Sequence, residues 1–298
     1  MTAQPAARLL PDGRRLHLQH GPIDLIVQAF GAPAEIALAY RQAWARFQDI
    51  LPALVAELPL LRRAADGTHP GVSGPVARRM LAACLRHDTG VFVTPMAAVA
   101  GAVADEMLAA LVAGRALEKA YVNDGGDIAL HLPPGASIAA GLVSDLDHPA
   151  IDGTAMIDAA MPVRGVATSG RGGRSFLLGI ADSVTVLAAD AAAADVAATL
   201  IGNAVDLGDH RAVRRARACD LDPDSDLGDR LVTVEVGPLT SAETADALDC
   251  GAAEAERMRR AGLIHGAVLV LRRRFRVVGE VSAAASARLA PTAATVTA

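Results

Sequence analysis

Seven consecutive residues, Thr168-Ser169-Gly170-Arg171-Gly172-Gly173-Arg174, gather two hydroxyls, two guanidinium groups and a run of backbone N–H groups. Glycine lets a backbone approach a ligand closely, and arginine offers phosphate a bidentate fork. Further on, within an alanine-rich run, Asp195 and Thr199 stand four residues apart and therefore on one face of a helix. Both present oxygen, the donor a hard cation such as Mg²⁺ prefers. A phosphate cradle followed by a cation-binding face points to nucleotide chemistry. A second polar stretch is Asn123-Asp124-Gly125-Gly126-Asp127, flanked by apolar runs. One reading is a hairpin turn, since turns use these residue types. The other adds ligand contact, because two carboxylates exceed what a two-residue turn requires.

The composition limits what such residues can serve. With 298 residues the chain can bury a sizeable core. Aromatics make up only 3% against a 52% apolar total rich in alanine, which suits closely packed small-residue helices. A net charge of −5 argues against a nucleic-acid surface, which needs a concentrated basic face. Cys84, Cys219 and Cys250 are too scattered for a disulfide framework or a CxxC metal site, and Cys84 reads as a buried thiol. The N-terminal stretch lacks the apolar core of a secretion signal. No apolar run approaches the roughly 20 residues needed to span a bilayer. The expectation is a cytoplasmic protein without a membrane partner, whose small-residue faces are compatible with homo-oligomers.

The elements that must position these residues read as follows. Residues 14–30 form two strands around a Gly21-Pro22 turn. Ile36, Tyr40, Trp44, Phe47 and Leu51 recur at helical spacing, so residues 33–51 read as the main packing helix. A loop over 64–75, with a solvated His69, precedes a helix from about Val76 to Arg86. Thr94 and Pro95 start a small-residue helix. Asp105 and Glu106 close it, as acids on its exposed side or as site residues. Residues 136–168 continue as short strands with polar turns, one of them carrying an isolated His148. Residues 165–203 read as strand, turn, two strand-like runs and helix. The acidic run 219–229 lacks the glycine and glutamate of a calcium loop and reads as a capped surface loop. Strand 231–236, helix 240–261 and strand 264–271 follow. Val93-Thr94 before Asp105 echoes Val184-Thr185 before Asp195, which hints at an internal duplication. No linker divides residues 1–280, so one α+β domain is expected, with a disordered Ala/Thr-rich tail over 281–298.

These residues also carry a family resemblance. Tyr121-Val122-Asn123-Asp124-Gly125-Gly126-Asp127-Ile128 resembles the VNxGGDI motif of the ApbE superfamily, the FAD:protein FMN transferases. Ala167-Thr168-Ser169-Gly170 resembles its ATSG segment. Ser183–Ala188 followed by Ala194–Thr199 resembles its SVTVIA and ADALAT stretch. The longer forms, over about residues 20–272, are closer to a shorter ApbE-like family of bacteria and archaea. The resemblance implies a fold of antiparallel sheets with packed helices. It also implies a flavin-nucleotide site with FAD as leading candidate, and Mg²⁺ held at Asp195 and Thr199. Asn123, Gly125, Gly126 and Asp127 would then shape the nucleotide pocket. The two-arginine turn is an addition to the family pattern that suits an anionic ligand, so that Thr168, Ser169, Gly170, Arg171 and Arg174 read as the phosphate-holding residues, and Asp127 or Asp124 as the group that orients or deprotonates an acceptor. Two departures stand out. The family's lysine segment is Ala98–Asp105 here, without lysine, and its histidine segment is shortened to Phe176–Asp182, without histidine. The expected function is Mg²⁺-dependent transfer or hydrolysis on a phosphorylated ligand. The alternative is a non-catalytic protein that binds or delivers a small anionic metabolite.

Overall fold

The computed structural model describes residues 4–87, 90–143, 151–173, 175–281, 283–285 and 290–291. It is an α+β structure of antiparallel sheets and helices, as expected. Its strands are β1 (Ala6–Leu9), β2 (Leu16–His20), β3 (Ile23–Gly31), β4 (Leu117–Asp124), β5 (Asp127–His131), β6 (Ser137–Val143), β7 (Ile151–Asp158) and β8 (Gly165–Ser169). The remaining strands are β9 (Ser183–Ala188), β10 (Val213–Arg217), β11 (Leu231–Val236), β12 (Gly266–Leu271), β13 (Arg274–Gly279), β14 (Ala283–Ala285) and β15 (Ala290–Pro291). Helices are α1 (Pro33–Phe47), α2 (Ile50–Leu61), α3 (Pro75–Leu85), α4 (Val99–Val112), α5 (Ala191–Ala204), α6 (Ala218–Leu221) and α7 (Ser241–Arg260). The described residues group into two compact units, each drawn from non-contiguous stretches. Such an arrangement leaves no linker for the sequence to reveal.

The first unit comprises residues up to Ile138 with Asp158–Ala167 and Leu187–Val196. Its strands run β1-β2-β3-β4-β5-β8, each antiparallel to the next. In β3 the alternate residues Ile23, Leu25, Val27 and Ala29 are buried, the period-two signature of a half-covered strand. Helix α4 packs on β4 and β5, and α1 and α3 flank it. The small-residue composition allows this: Gly101, Ala102, Val103 and Ala104 are all buried. Together with the preceding helical turn, α4 makes an 18-residue stretch, Pro95–Val112, with mean hydropathy 1.5. By length and composition it could cross a membrane, contrary to the sequence expectation; in this fold it is a core helix. The N-cap reading at its start holds, for the Thr94 side chain accepts the Met96 N–H.

Of the apolar stripe expected along α1, only Phe47 is fully buried; Ile36, Tyr40 and Trp44 are partly exposed. Ala39, Ala43 and Phe47 are buried, while Tyr40 uses its hydroxyl to accept from the Ala29 N–H and donate to the Arg14 carbonyl. The helix ends at Phe47, and the separate helix α2 begins at Ile50. Its apolar residues surround the axis and Pro59 stands inside it, so neither a helical stripe nor an unbroken pattern announces it. His69 is not simply solvated either. Its ring bonds the Leu60 carbonyl and accepts from the Gly71 N–H, folding the loop on itself.

The second unit holds Ala139–Ile157, Thr168–Val186 and the chain from Ala197. Within it β9 neighbours β12, β12 pairs antiparallel with β13, β10 pairs with β11, and β6-β7-β14 forms a small sheet. Helix α7 covers β12 and β13 and begins with a capping box, Thr240 and Glu243. One expected strand is absent: residues 176–181 are irregular. Their backbone groups find other partners, with the Leu178 N–H on the Asn203 side chain and the Ile180 N–H on the Val205 carbonyl. His148 and most of the 281–298 tail lie outside the described residues, apart from Val281 and the short strands β14 and β15.

Candidate functional site

In the first unit the polar stretch 123–127 is a hairpin whose two turn residues, Gly125 and Gly126, have φ of 63° and 118°. Only glycine enters such conformations cheaply, which explains the pair. Asn123 anchors the turn by accepting the Gly126 N–H at 2.8 Å. The alternation that buries Ala120 and Val122 continues to Asp124, and Asp127 sits directly opposite it. Both carboxylates are therefore on the inner face, Asp124 at 4% exposure and Asp127 at 8%. Strand register carries two acids inward, where charge is costly without compensation.

Helices α4 and α5 cap each other. Asp105 of α4 accepts the Ala191 and Ala192 N–H groups at 3.1 and 2.9 Å, satisfying the first turn of α5. Asp195 of α5 accepts the Gly101 N–H at 3.0 Å in the first turn of α4. Each carboxylate meets the positive end of the other helix. The close approach requires Gly101: a Cβ there would lie 2.8 Å from the Ala192 Cα and closer still to the Ala191 carbonyl. Asp105 is thus neither a solvent-facing acid nor a ligand donor to spare. The echo noted in the sequence holds for the two helices and their acids, although Val93-Thr94 lies in coil rather than in a strand.

Burial pushes Asp195 up to about 7, against the Gly101 and Ala100 N–H groups that favour its charge; Asp124 and Asp105 add like-charge repulsion. Burial likewise pushes Asp105 up to about 6, despite its two backbone donors. Burial and the neighbouring acids therefore favour the protonated form of Asp195. Among the described residues, no group of three or more His, Cys, Asp or Glu side chains is placed to hold a metal ion. A cation at Asp195 would need hydroxyl and carbonyl oxygens to complete its shell. Thr199 stands four residues further along α5.

In the second unit the Thr168 and Thr185 hydroxyls bond at 2.9 Å across β8 and β9. Gly170 is a point of close approach, since a Cβ would lie 2.9 Å from the Asp182 carbonyl carbon. Asp182 organises this turn. It accepts from the Arg171 guanidinium at 3.2 Å and from the Arg272 N–H at 2.6 Å. The latter bond supports the β12–β13 turn, where Arg272 and Arg273 have φ of 51° and 63°, rare for side-chain-bearing residues. Ser169 ends β8, and Arg174 lies outside the described residues. Sequence reading did not single out Asp182 or the capping by Asp105. Both act through the backbone of segments far away in the chain, which no spacing rule reports.

The family model described as AbpE bacteria matches residues 7–283. A UPF0280 protein of Methanothrix thermoacetophila is 39% identical over 135 residues, covering 44% of this chain and 52% of that protein. A UPF0280 protein of Methanothermobacter thermautotrophicus is 37% identical over 139 residues, covering 44% and 48%. The chain spans about half the length of the curated relatives it matches. Among solved structures, a point mutant of the flavin transferase ApbE from Vibrio cholerae aligns with a TM-score of 0.45 and 12% identity, covering 96% of this chain and 98% of that one. The apo flavinyl transferase ApbE of Pseudomonas stutzeri aligns with a TM-score of 0.37 and 14% identity, covering 96% and 95%. With the match to the family model running from β1 into β14, this chain belongs to the AbpE bacteria family.

Proposed function

We propose that the protein binds a flavin nucleotide, FAD foremost, together with Mg²⁺, and transfers or hydrolyses its FMN moiety in the cytoplasm. The observation that carries this reading is Asp195, a carboxylate at the N-terminus of α4 with Asp124 and Asp105 as acidic neighbours. Hard oxygen donors at Asp195 and Thr199 fit a dication, and a dication relieves the repulsion among the acids. Bound Mg²⁺ would neutralise pyrophosphate charge and favour displacement at phosphorus.

The chain's own residues have separable tasks. Asn123, Gly125 and Gly126 shape the nucleotide pocket. Thr168, Ser169, Gly170, Arg171 and Arg174 hold phosphate. Asp127 or Asp124 takes the proton from an acceptor hydroxyl as its oxygen bonds to the FMN phosphorus. The P–O bond to AMP then breaks and AMP leaves. With water as acceptor the products are FMN and AMP. A second reading, binding and delivery without turnover, is favoured by the missing lysine in Ala98–Asp105 and the missing histidine in Phe176–Asp182.

Thermal shift against FAD, FMN, ADP and ATP, with and without Mg²⁺, tests both readings when product is followed by mass spectrometry. Stabilisation of about 2.7 kcal/mol is expected at a hundredfold excess of ligand over Kd. AMP release with FAD supports turnover, and a shift without product supports delivery. An Asp195→Ala protein that keeps the full Mg²⁺-dependent shift refutes the metal assignment.

A further inference from the structure

A cavity of about 400 Å³ opens beside α3 in the first unit. Arg78, Arg79 and Arg86 line it, with Ala82 and Ala83 between them along the helix. The spacing produces this arrangement: 78, 82 and 86 form one helical row, and 79, 83 and 86 form another. Two alanines in the middle leave room where longer side chains would fill it. The volume lies in the range of small-molecule sites, about 300–1,000 Å³.

Acids also line the cavity, but each has another partner. Glu106 accepts from Arg79 at 3.0 Å and equally from Arg46 at 3.0 Å, so it stays paired if Arg79 turns away. Asp190 meets Arg86 through Oδ2 in an exposed pair at 3.2 Å, while its Oδ1 accepts the Ala193 N–H at 2.7 Å. Asp105 spends both oxygens on α5. Arg78 donates to the Ser73 carbonyl and has no carboxylate partner among the described residues. Three guanidinium groups can therefore rotate toward one anion without leaving a buried carboxylate uncompensated. The exposed Arg86–Asp190 pair exchanges partners at little cost.

The geometry points to a second anion site here, for the phosphate group of a small molecule, held by the forks of Arg78, Arg79 and Arg86. Phosphate suits it because each guanidinium offers a bidentate fork to a tetrahedral oxyanion. Its arginines are distinct from Arg171, where the flavin reading places phosphate, although Asp105 lines the cavity as well.

Titration of the full chain with inorganic phosphate and with glycerol 3-phosphate, followed by the amide NMR signals of Ala82, Ala83 and Ala192, tests it. Saturable shifts of those amides are expected in the parent protein and in Arg171→Ala. A tighter fit for glycerol 3-phosphate identifies a phosphomonoester as the ligand; equal affinity identifies the free ion. R78Q/R79Q/R86Q is expected to weaken binding by about tenfold or more. R79K, which keeps charge but loses the fork, falls between. If the triple variant fails to fold, the single variants R78Q and R86Q, both exposed, carry the comparison. Absence of saturable shifts at these amides overturns the inference, as does unchanged affinity in the arginine variants or loss of binding in R171A alone.

Discussion

Replacing Gly101 with alanine sets two physical effects against each other. In an exposed helix the change stabilises by about 1 kcal/mol, because alanine loses less backbone entropy. Here the added Cβ would sit 2.8 Å from the Ala192 Cα and nearer to the Ala191 carbonyl, all backbone atoms of α5. Apolar heavy atoms in contact normally lie about 4 Å apart, so the helices must separate by roughly 1 Å. Separation strains three hydrogen bonds to carboxylates, two at Asp105 and one at Asp195. Overpacking costs about 1–3 kcal/mol, and a hydrogen bond to a charged group contributes about 1.5–3 kcal/mol. Even partial loss of the three outweighs the propensity gain, for a net destabilisation of about 3–5 kcal/mol. At about 2–4 °C per kcal/mol, the Tm should fall by roughly 10 °C in differential scanning calorimetry. Ala109→Gly, at an exposed position of the same helix, isolates propensity and should cost about 1 kcal/mol. A Gly101→Ala protein as stable as the parent, or more so, would refute the reciprocal capping of α4 and α5.

Two further outcomes follow from the same structure. Asp105 is raised from 3.8 to about 6 and Asp195 from 3.8 to about 7, so each prefers its proton when folded. That contribution is complete below the unfolded value near 4 and is lost as pH rises through the folded values. Melting at pH 5 should therefore exceed that at pH 7.5 by about 1–2 kcal/mol from Asp105 alone. Asp12 and Glu256, lowered to about 2, act only below about pH 4–5 and do not mask the effect. Asp105→Asn should flatten the profile, and an unchanged slope in that variant would exclude Asp105 as its source. Separately, Thr240→Ala removes the hydroxyl that accepts the Glu243 N–H and half of the α7 capping box. Urea unfolding should show a loss of about 1 kcal/mol with unchanged m-value.

The sequence alone determined much of this protein, because local chemistry decides local structure. Gly125-Gly126 required a turn whatever surrounded it, Thr240 with Glu243 required a helix start, and the alternation in β3 required one buried face. The motif residues from Asn123 to Thr199 also led to the right family. Only the tertiary structure decided the rest. Alanine-rich helices look alike in sequence, so nothing there says that α4 and α5 meet at Gly101 or that Asp105 spends its charge on α5. Helix α2 was hidden by its all-round hydrophobicity, and residues 176–181 look like a strand until Asn203 and Val205 take their N–H groups. A carboxylate can serve as a cap, an ion-pair partner or a metal ligand, and its neighbours choose among these. For Asp105, Asp182 and Asp195, those neighbours lie on other elements, brought near only when the chain folds.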